Sequence, residues 1–565
     1  MATTPIIANP TNFPVQRLLH WAATQPHKTY LTQPIGHGVV QDIRWAEAAD
    51  QAARIATWMQ AQGWPAGSRV AIVGKNSAHW VLADLAIWMA GYVSVPIYPT
   101  FNGEALAYIL EHSEARAVFV GKMDDSASLG SVPDTVLQVA LPLSPSGVKG
   151  LFWSDLLRSN APLQFVAQPD ANTICTIIYT SGTTGRPKGV VQTFGAMAWG
   201  IESATRRIPM SASDRYISYL PLAHVAERML VEQVSLRFGG HIFFAENLDT
   251  FLADLQRARP TIFFSVPRLW VKFAQGVFDK IPERKLQRLL SIPLLGGLVR
   301  RKILKGLGLD HCRLAAGGAA PMPADVLGFF RSLGLDLIEV YGMTENCGVS
   351  HATLPGDRGI GTVGLPYEGV ESRIDPETGE IQMRCPALMQ GYYKNPEQTA
   401  QTMTADGWLR TGDKGSCDAQ GRLSITGRVK DIFKTSKGKY VAPAPIEDLL
   451  VTHSDIEACA VTGANLAQPL AVVMLSQDAA QRCADPQAKQ ALLQSLEQHL
   501  QSVNNRLDYH ERLECLAVVS TLWTPENGFV TPTFKVKRDR IEAAYGAHFE
   551  PWAQSGQRVV WADAA

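Results

Sequence analysis

Between residues 45 and 62 apolar side chains recur at helical spacing (Ala49, Ala52, Ile55, Ala56, Met59), and Gly63 then supplies a stop signal, so the pattern predicts a helix. An apolar, β-branched run at 69–73 predicts a strand, 78–90 a second helix and 93–97 a second strand. Strand-like runs return at 117–120, 174–179, 215–219, 241–244 and 262–265. Such alternation predicts stacked, mostly parallel sheets flanked by helices, an α/β fold class. Beyond about residue 350 the chain turns β-rich, with turn signals at Asp375-Pro376, Thr378-Gly379 and Asp406-Gly407. After Gly427 come a Lys-rich loop (428–439), then helix, strand and a Gln-rich stretch through Gln501 that reads as one or two solvated helices. Residues 1–427 are therefore expected to form a large N-terminal unit, α/β to about 350 and β-rich over about 351–427. Residues 428–565 are expected to form a small C-terminal domain.

Composition narrows the classes. Lys+Arg and Asp+Glu both number 52 in 565 residues, so net charge gives no argument for a nucleic acid or an anionic surface. The eight cysteines are scattered, without a CxxC pair or a metal-ligand spacing, and read as reduced thiols of a cytoplasmic protein. The N-terminus lacks the basic start and apolar run of a secretory signal. The most membrane-like stretch, 81–99, contains Asp84, Pro96 and Pro99 and reads as a buried helix followed by a strand, with no transmembrane segment.

The chemistry is concentrated in short strings. TIIYTSGTTGRPKGV (176–190) carries a β-branched strand into a loop of Gly, Ser and Thr that ends on a lysine. Backbone amides freed by glycine, hydroxyl donors and the Lys188 ammonium suit a polyphosphate. The loop is not a Walker A sequence, because Arg186-Pro187 separate Gly185 from Lys188. Further along stand AAGGAAP (315–321), VYGMTE (340–345), WLRTGD (408–413), GRVKD (427–431) and TPTFKVKR (531–538). Small residues allow close approach to a flat base, Tyr341 offers an aromatic face, Thr344 a hydroxyl, and Glu345 a hard oxygen ligand. The Asp413 carboxylate can accept two hydrogen bonds. Taken singly, each string is more often a turn, a core aromatic or a solvated charge.

Taken in this order, the strings resemble the signature of the adenylate-forming superfamily, which includes acyl-CoA synthetases, luciferases and peptide-synthetase adenylation domains. The resemblance covers nearly the whole chain. It implies a phosphate loop of Thr180, Ser181, Gly182, Thr183, Thr184, Gly185 and Lys188, and an adenine segment of Gly317, Gly318, Ala319 and Ala320. Tyr341, Gly342, Met343 and Thr344 would surround adenine and the α-phosphate, with Glu345 and Thr180 as ligands of Mg²⁺. Asp413 and Arg428 would hold the ribose, and Lys430 would be the interdomain hinge. The implied catalytic set is Lys535, His224, Thr344 and Glu345: Lys535 matches a mobile lysine bridging carboxylate and α-phosphate, and His224, in YLPLAHVAER, falls beside the carboxylate. Some relatives carry an aromatic gate shortly after this His, but here Glu227-Arg228 follow and leave the gate unassigned.

The implied fold is a large N-terminal domain of stacked α/β sheets with a distorted β-barrel subdomain, and a small mobile α+β C-terminal domain. That domain would rotate between the two half-reactions, withdrawing Lys535 and bringing Gly438, in KTSKGKY, to a pantetheine tunnel.

PLAHVAER, FSVPRLW (264–270), KTSKGKYVAP (434–443) and TPTFKVKR resemble long-chain fatty acyl-CoA synthetases more than acetate or aromatic-acid ligases. The expected activity is ATP-dependent ligation of a fatty acid to coenzyme A through acyl-AMP, with Mg²⁺ as the metal. An acyl carrier protein or another acceptor is the rival to free coenzyme A. A catalytically inactive binding protein would be marked by loss of Lys535, Glu345 or Asp413, and all three are present. Apolar residues around 196–201 and 230–238 are available for an acyl tunnel. Peripheral contact with the inner face of a membrane is compatible with a long acyl substrate, although no amphipathic or basic segment stands out as an anchor.

Overall fold

The computed structural model describes residues 6, 8–166, 168–180, 186–320, 322–357, 359, 361–531 and 535–562. The predicted alternation is present: helix Trp45–Ala61, strand Arg69–Val73, helix Ala78–Met89 and strand Val93–Ile97 follow one another. Local chemistry sets the helix starts. Arg44 N donates to Glu47 Oε2 at 2.9 Å, and Trp80 N donates to Ser77 Oγ at 3.2 Å, each satisfying an amide that a first turn leaves free. All twelve residues of Ala78–Met89 are buried, which is why the 81–99 stretch is apolar on every side. No helix among the described residues is long and apolar enough to cross a membrane.

An eight-stranded sheet runs in the order Gly391–Tyr392, Lys188–Thr193, Ile174–Thr180, Val93–Ile97, Arg69–Val73, Ala115–Val120, Leu137–Ala140, Leu151–Phe152. It is parallel from Ile174–Thr180 onward and antiparallel at its first two pairings. A five-stranded sheet orders Ile262–Ser265, Leu314–Gly318, Leu337–Tyr341, His351–Ala352 and Leu365–Pro366, with the first three parallel. Thr180, Gly318 and Tyr341 are the last residues of their strands, and the carboxyl ends of strands are where α/β sheets place ligands.

The β-rich unit is an antiparallel sheet of Glu371–Ile374, Glu380–Arg384, Leu409–Cys417 and Leu423–Arg428. Val363 N and Gly364 O bond the backbone of Leu423 and extend one edge, so among the described residues the barrel is an open one. The smaller C-terminal domain has its own sheet, Ile456–Thr462, Leu470–Leu475, Leu516–Val519 and Val559–Ala562. The Gln-rich tract forms two helices, Gln477–Arg482 and Pro486–Asn504; the second buries Leu492, Leu496, Leu500 and Val503 at three- and four-residue spacing and leaves its other faces to water.

Candidate active site

A cavity of about 1730 Å³ lies between the two domains. Thr180, Lys188, His224, Tyr341, Glu345, Asp413, Arg428, Lys430 and Lys535 all line it. Residues distributed over more than 350 positions of sequence thus converge, each placed by a strand end or a tight turn.

Thr180 and Lys188 face each other across an antiparallel pair, so the phosphate loop closes a hairpin. Ser181, Gly182, Thr183, Thr184 and Gly185 lie outside the described residues. Lys188 Nζ donates to Gln398 Oε1 at 2.9 Å and stands 5.6 Å from the centre of the Tyr392 ring. Its pKa is lowered by desolvation and by the Lys430 ammonium, against an opposing pull from Glu345.

Tyr341 donates its hydroxyl to Asp413 Oδ2 at 2.7 Å, and Arg428 Nε meets Asp413 Oδ1 at 3.0 Å. Asp413 and Arg428 are register partners in adjacent strands, which is what aligns the ion pair. Each carboxylate oxygen keeps a second lone-pair direction for a ligand hydroxyl. Desolvation and then the neighbouring Asp413 charge raise the Tyr341 pKa, so the phenol stays a donor. Gly342 is required locally: a Cβ there would fall 2.2 Å from the backbone of Gly348, which closes the turn through Thr344 and Glu345.

The AAGGAAP string divides in two. Ala319, held at φ 69°, and Ala320 line the cavity with Met343 and Thr344. Gly317 and Gly318 do not. A Cβ at Gly318 would meet Val340 O at 2.7 Å and one at Gly317 would meet Met322 Cε at 2.3 Å, so strand packing accounts for both glycines. Gly438 is likewise outside the cavity wall in this domain arrangement; it turns the loop between Phe433–Lys434 and Tyr440–Val441 at φ 77°.

Lys535 enters from the C-terminal domain. Lys535 N donates to Thr531 Oγ1 at 3.1 Å, Thr531 N donates to Lys535 O at 2.8 Å, and Val530 bridges Val536, so the lysine stands on a tight loop. Its side chain is exposed to the cavity although protein surrounds it. Desolvation and the Arg428 guanidinium lower its pKa, while Asp413 and Glu345 oppose them. His224 is its neighbour. Ala226 N donates to His224 Nδ1 at 3.2 Å, which leaves the ring proton on Nε2. Burial, then Lys535, pushes the His224 pKa down to about 4, so the ring is neutral near pH 7 and donates through Nε2.

Gly200, Ile201 and Ala204 of helix Phe194–Thr205 form an apolar continuation of the cavity with Met229, Leu230 and Val234. A π-helical turn, Arg228–Gln233, widens the helix here. Glu227 and Arg228 gate nothing. Both are buried outside the cavity lining, and Arg228 pairs with Asp84, lies 3.5 Å from Glu232 and donates to Thr176 Oγ1 at 2.6 Å. Glu227 Oε1 accepts from Tyr219 N at 3.0 Å, and desolvation pushes its pKa up to about 8.

Two site residues have no motif to announce them. Tyr392 donates its hydroxyl to Glu345 Oε1, and Gln398 anchors Lys188. The only sequence signal was an aromatic pair beside Gly391, just before the helix-starting Asn395-Pro396.

This geometry agrees with what the chain resembles. The AMP-binding enzyme model matches residues 18–393, and the AMP-binding enzyme C-terminal domain model matches 430–551. The chain belongs to the AMP-binding enzyme family. Its curated relatives include long-chain acyl-CoA synthetases. Long chain acyl-CoA synthetase 6, peroxisomal, of Arabidopsis thaliana is 34% identical over 89% of this chain and 81% of its own length. Long-chain-fatty-acid–CoA ligase FadD15 of Mycobacterium tuberculosis is 31% identical over 91% and 92%. Among solved structures, the adenylation domain of a carboxylic acid reductase from Segniliparus rugosus, in complex with AMP and a carboxylic acid, superposes with a TM-score of 0.79 at 21% identity, covering 96% of this chain and 94% of that one. The anthranilate CoA ligase AuaEII, in complex with anthranoyl-AMP, gives 0.76 at 22%, covering 96% and 98%. These last two establish the fold.

Proposed function

We propose that this chain joins a long-chain fatty acid to coenzyme A with cleavage of ATP to AMP and pyrophosphate, through an acyl-adenylate. The observation that carries it is the meeting of Lys535, from the C-terminal domain, with His224, Glu345 and Asp413 in one cavity that continues into an apolar channel. The proposed domain division is 1–427 and 428–565.

Asp413 and Arg428 hold the ribose, Tyr341 packs on adenine, and Lys188 with Thr180 and the following loop receives the phosphates. Glu345 suits Mg²⁺: its Oε1 is occupied by Tyr392, Oε2 remains, and the Thr180 hydroxyl lines the same cavity. No cluster of three or more His, Cys, Asp or Glu among the described residues could hold a metal, and Mg²⁺ ordinarily binds through one or two carboxylates plus substrate phosphates. Bound with the nucleotide, the ion neutralises phosphate charge that repels an approaching carboxylate.

His224 donates Nε2–H to one carboxylate oxygen and fixes the direction of the other. The Lys535 ammonium bridges that oxygen and the α-phosphate. The oxygen bonds to phosphorus, the bond to pyrophosphate breaks, and no proton has to move. In the second half-reaction the thiol sulfur bonds to the acyl carbon, the thiol proton passes to solvent, and AMP leaves. Rotation of residues 428–565 about Lys430, with the Gly438 turn brought to the thiol's path, separates the halves. The eight cysteines are free thiols, which favours a cytoplasmic setting.

The test is pyrophosphate release across acids from acetate to stearate, followed by thioester formation with coenzyme A and with an acyl carrier protein in separate arms. Release that peaks on long chains with a coenzyme A product supports the reading. Product only with the carrier protein replaces the acceptor, and release confined to acetate overturns the substrate class.

A further inference from the structure

Helices Glu283–Ser291 and Leu295–Gly306 form a hairpin that, among the described residues, carries the clearest concentration of exposed apolar surface. Ile292 is 46% exposed, Leu294 91%, Leu295 40% and Leu298 69%, all within seven residues at the tip. The hairpin's inner side is conventional: Leu286 is buried, and Leu290, Ile303 and Leu304 pack on the core beneath. The tip is not. Leu294 sits at φ 65°, ψ −49°, a conformation in which glycine is the ordinary choice, and its side chain points to water.

The charges follow the same outer side. Arg301, Lys302 and Lys305 lie three, four and seven residues past Leu298, the spacing that puts them on its helical face. Arg284, Lys285 and Arg288 are exposed on the first helix, and Arg300 on the second, against one carboxylate, Glu283. None of these cations forms an ion pair among the described residues. A chain of zero net charge therefore gathers basic residues beside an unpartnered apolar tip, and because the leucines straddle a turn they form no single amphipathic helix in the sequence.

We propose that this hairpin is a docking surface for an anionic lipid bilayer, with Leu294 and Leu298 inserted among the acyl chains and the lysines and arginines against the headgroups. Charge complementarity selects this occupant: scattered cations beside apolar tips match phosphates lying over hydrocarbon, whereas a nucleic acid would leave the leucines in water. Helix Pro267–Phe278, whose Arg268 and Lys272 line the substrate cavity, runs directly into the hairpin. Docking would hold the enzyme at the phase into which long-chain acids partition. The inference does not depend on the acyl chemistry, because binding is measured without turnover.

The experiment is vesicle co-sedimentation of the full chain with phosphatidylcholine alone and with added phosphatidylglycerol. Binding is expected only with the anionic lipid, weakening as salt rises. Leu294→Asp with Leu298→Asp should reduce it at least tenfold, and Arg301→Glu with Lys305→Glu by about the same, since each basic residue near the surface contributes about fivefold. Both pairs should leave pyrophosphate release from octanoate in detergent-free buffer unchanged, which reports folding. Binding that survives in both variants, or is equal on neutral vesicles, overturns the proposal. So does binding of the wild type to duplex DNA in place of vesicles, or a switch from dimer to monomer in the variants without any lipid binding.

Discussion

Tyr392 donates its phenolic hydrogen to Glu345 Oε1 at 2.7 Å, and in doing so fixes which oxygen of that carboxylate faces the nucleotide pocket. The same ring lies under Lys188, so one side chain sets two charges that a metal–triphosphate complex would meet. Tyr392→Phe keeps the ring and removes the hydrogen bond. A bond to a charged group is worth about 1.5–3 kcal/mol, so the Mg²⁺ concentration for half-maximal adenylation should rise roughly tenfold or more. Thioester formation from supplied acyl-adenylate should not change. An unaltered Mg²⁺ dependence would make Tyr392 a packing residue.

Lys535→Ala removes the bridging ammonium while leaving the loop stem of Val530 and Val536. Acid-dependent pyrophosphate release should fall by about two to three orders of magnitude, as loss of a preorganised transition-state charge contact does elsewhere. Thioester formation from supplied acyl-adenylate should persist. Equal loss of both half-reactions would contradict a role confined to the first.

The interdomain contact is weighted by charge. Arg268 pairs with Glu457 in the wall of the cavity, and Gln275 Nε2 donates to Thr452 O at 3.4 Å. Arg268 is 43% exposed and Glu457 26%, so the pair is worth about 0.2–1 kcal/mol. Glu457→Gln should slow adenylation by no more than about fivefold and leave thioester formation from acyl-adenylate at least as fast. Separate assays of the half-reactions measure this; a slower second half-reaction alone would contradict it.

Glu227 gives a pH signature of stability. Burial raises its folded pKa from the ordinary 4.5 to about 8, so the folded protein binds a proton that the unfolded chain releases above 4.5. Its contribution is fully present below pH 4.5 and is lost as pH rises through about 8. Glu227→Gln cannot ionise. Its Tm relative to wild type should climb by several degrees between pH 5 and 9. A constant difference across that range would mean Glu227 is ionised in the fold.

Gly200 faces the channel, where an added Cβ would lie 3.2 Å from Met229 Cε and 3.3 Å from Val349 Cγ2. Gly200→Val should narrow it at a stability cost of about 1–3 kcal/mol and shift the preferred acid toward shorter chains. An unchanged chain-length profile would place the acyl chain elsewhere.

Much of this was legible beforehand, for reasons particular residues make plain. The helix 45–62 and strands 69–73 and 93–97 could be read because each is a local segment whose buried face or faces set its pattern. That Lys188, Tyr341, Asp413 and Lys535 converge on one cavity could be expected because each stands in a short contiguous string. Tyr392 and Gln398 could not, since a supporting residue needs only to arrive at the right atom and leaves no local pattern. At Gly317 and Gly318 the packing of Met322 and Val340 already demands glycine, so the AAGGAAP string carries a folding signal as well as any signal for a ligand. The basic hairpin leaves no pattern in the sequence because its surface exists only once two helices are folded together.

The most direct test is a single-turnover incubation of the enzyme with palmitate, ATP and Mg²⁺ in the absence of coenzyme A, followed by analysis of the nucleotides. The account predicts enzyme-bound palmitoyl-AMP and an equal amount of pyrophosphate, both formed at least about a hundredfold more slowly with Lys535→Ala. Formation of ADP and orthophosphate, or no acid-dependent nucleotide change at all, would contradict it.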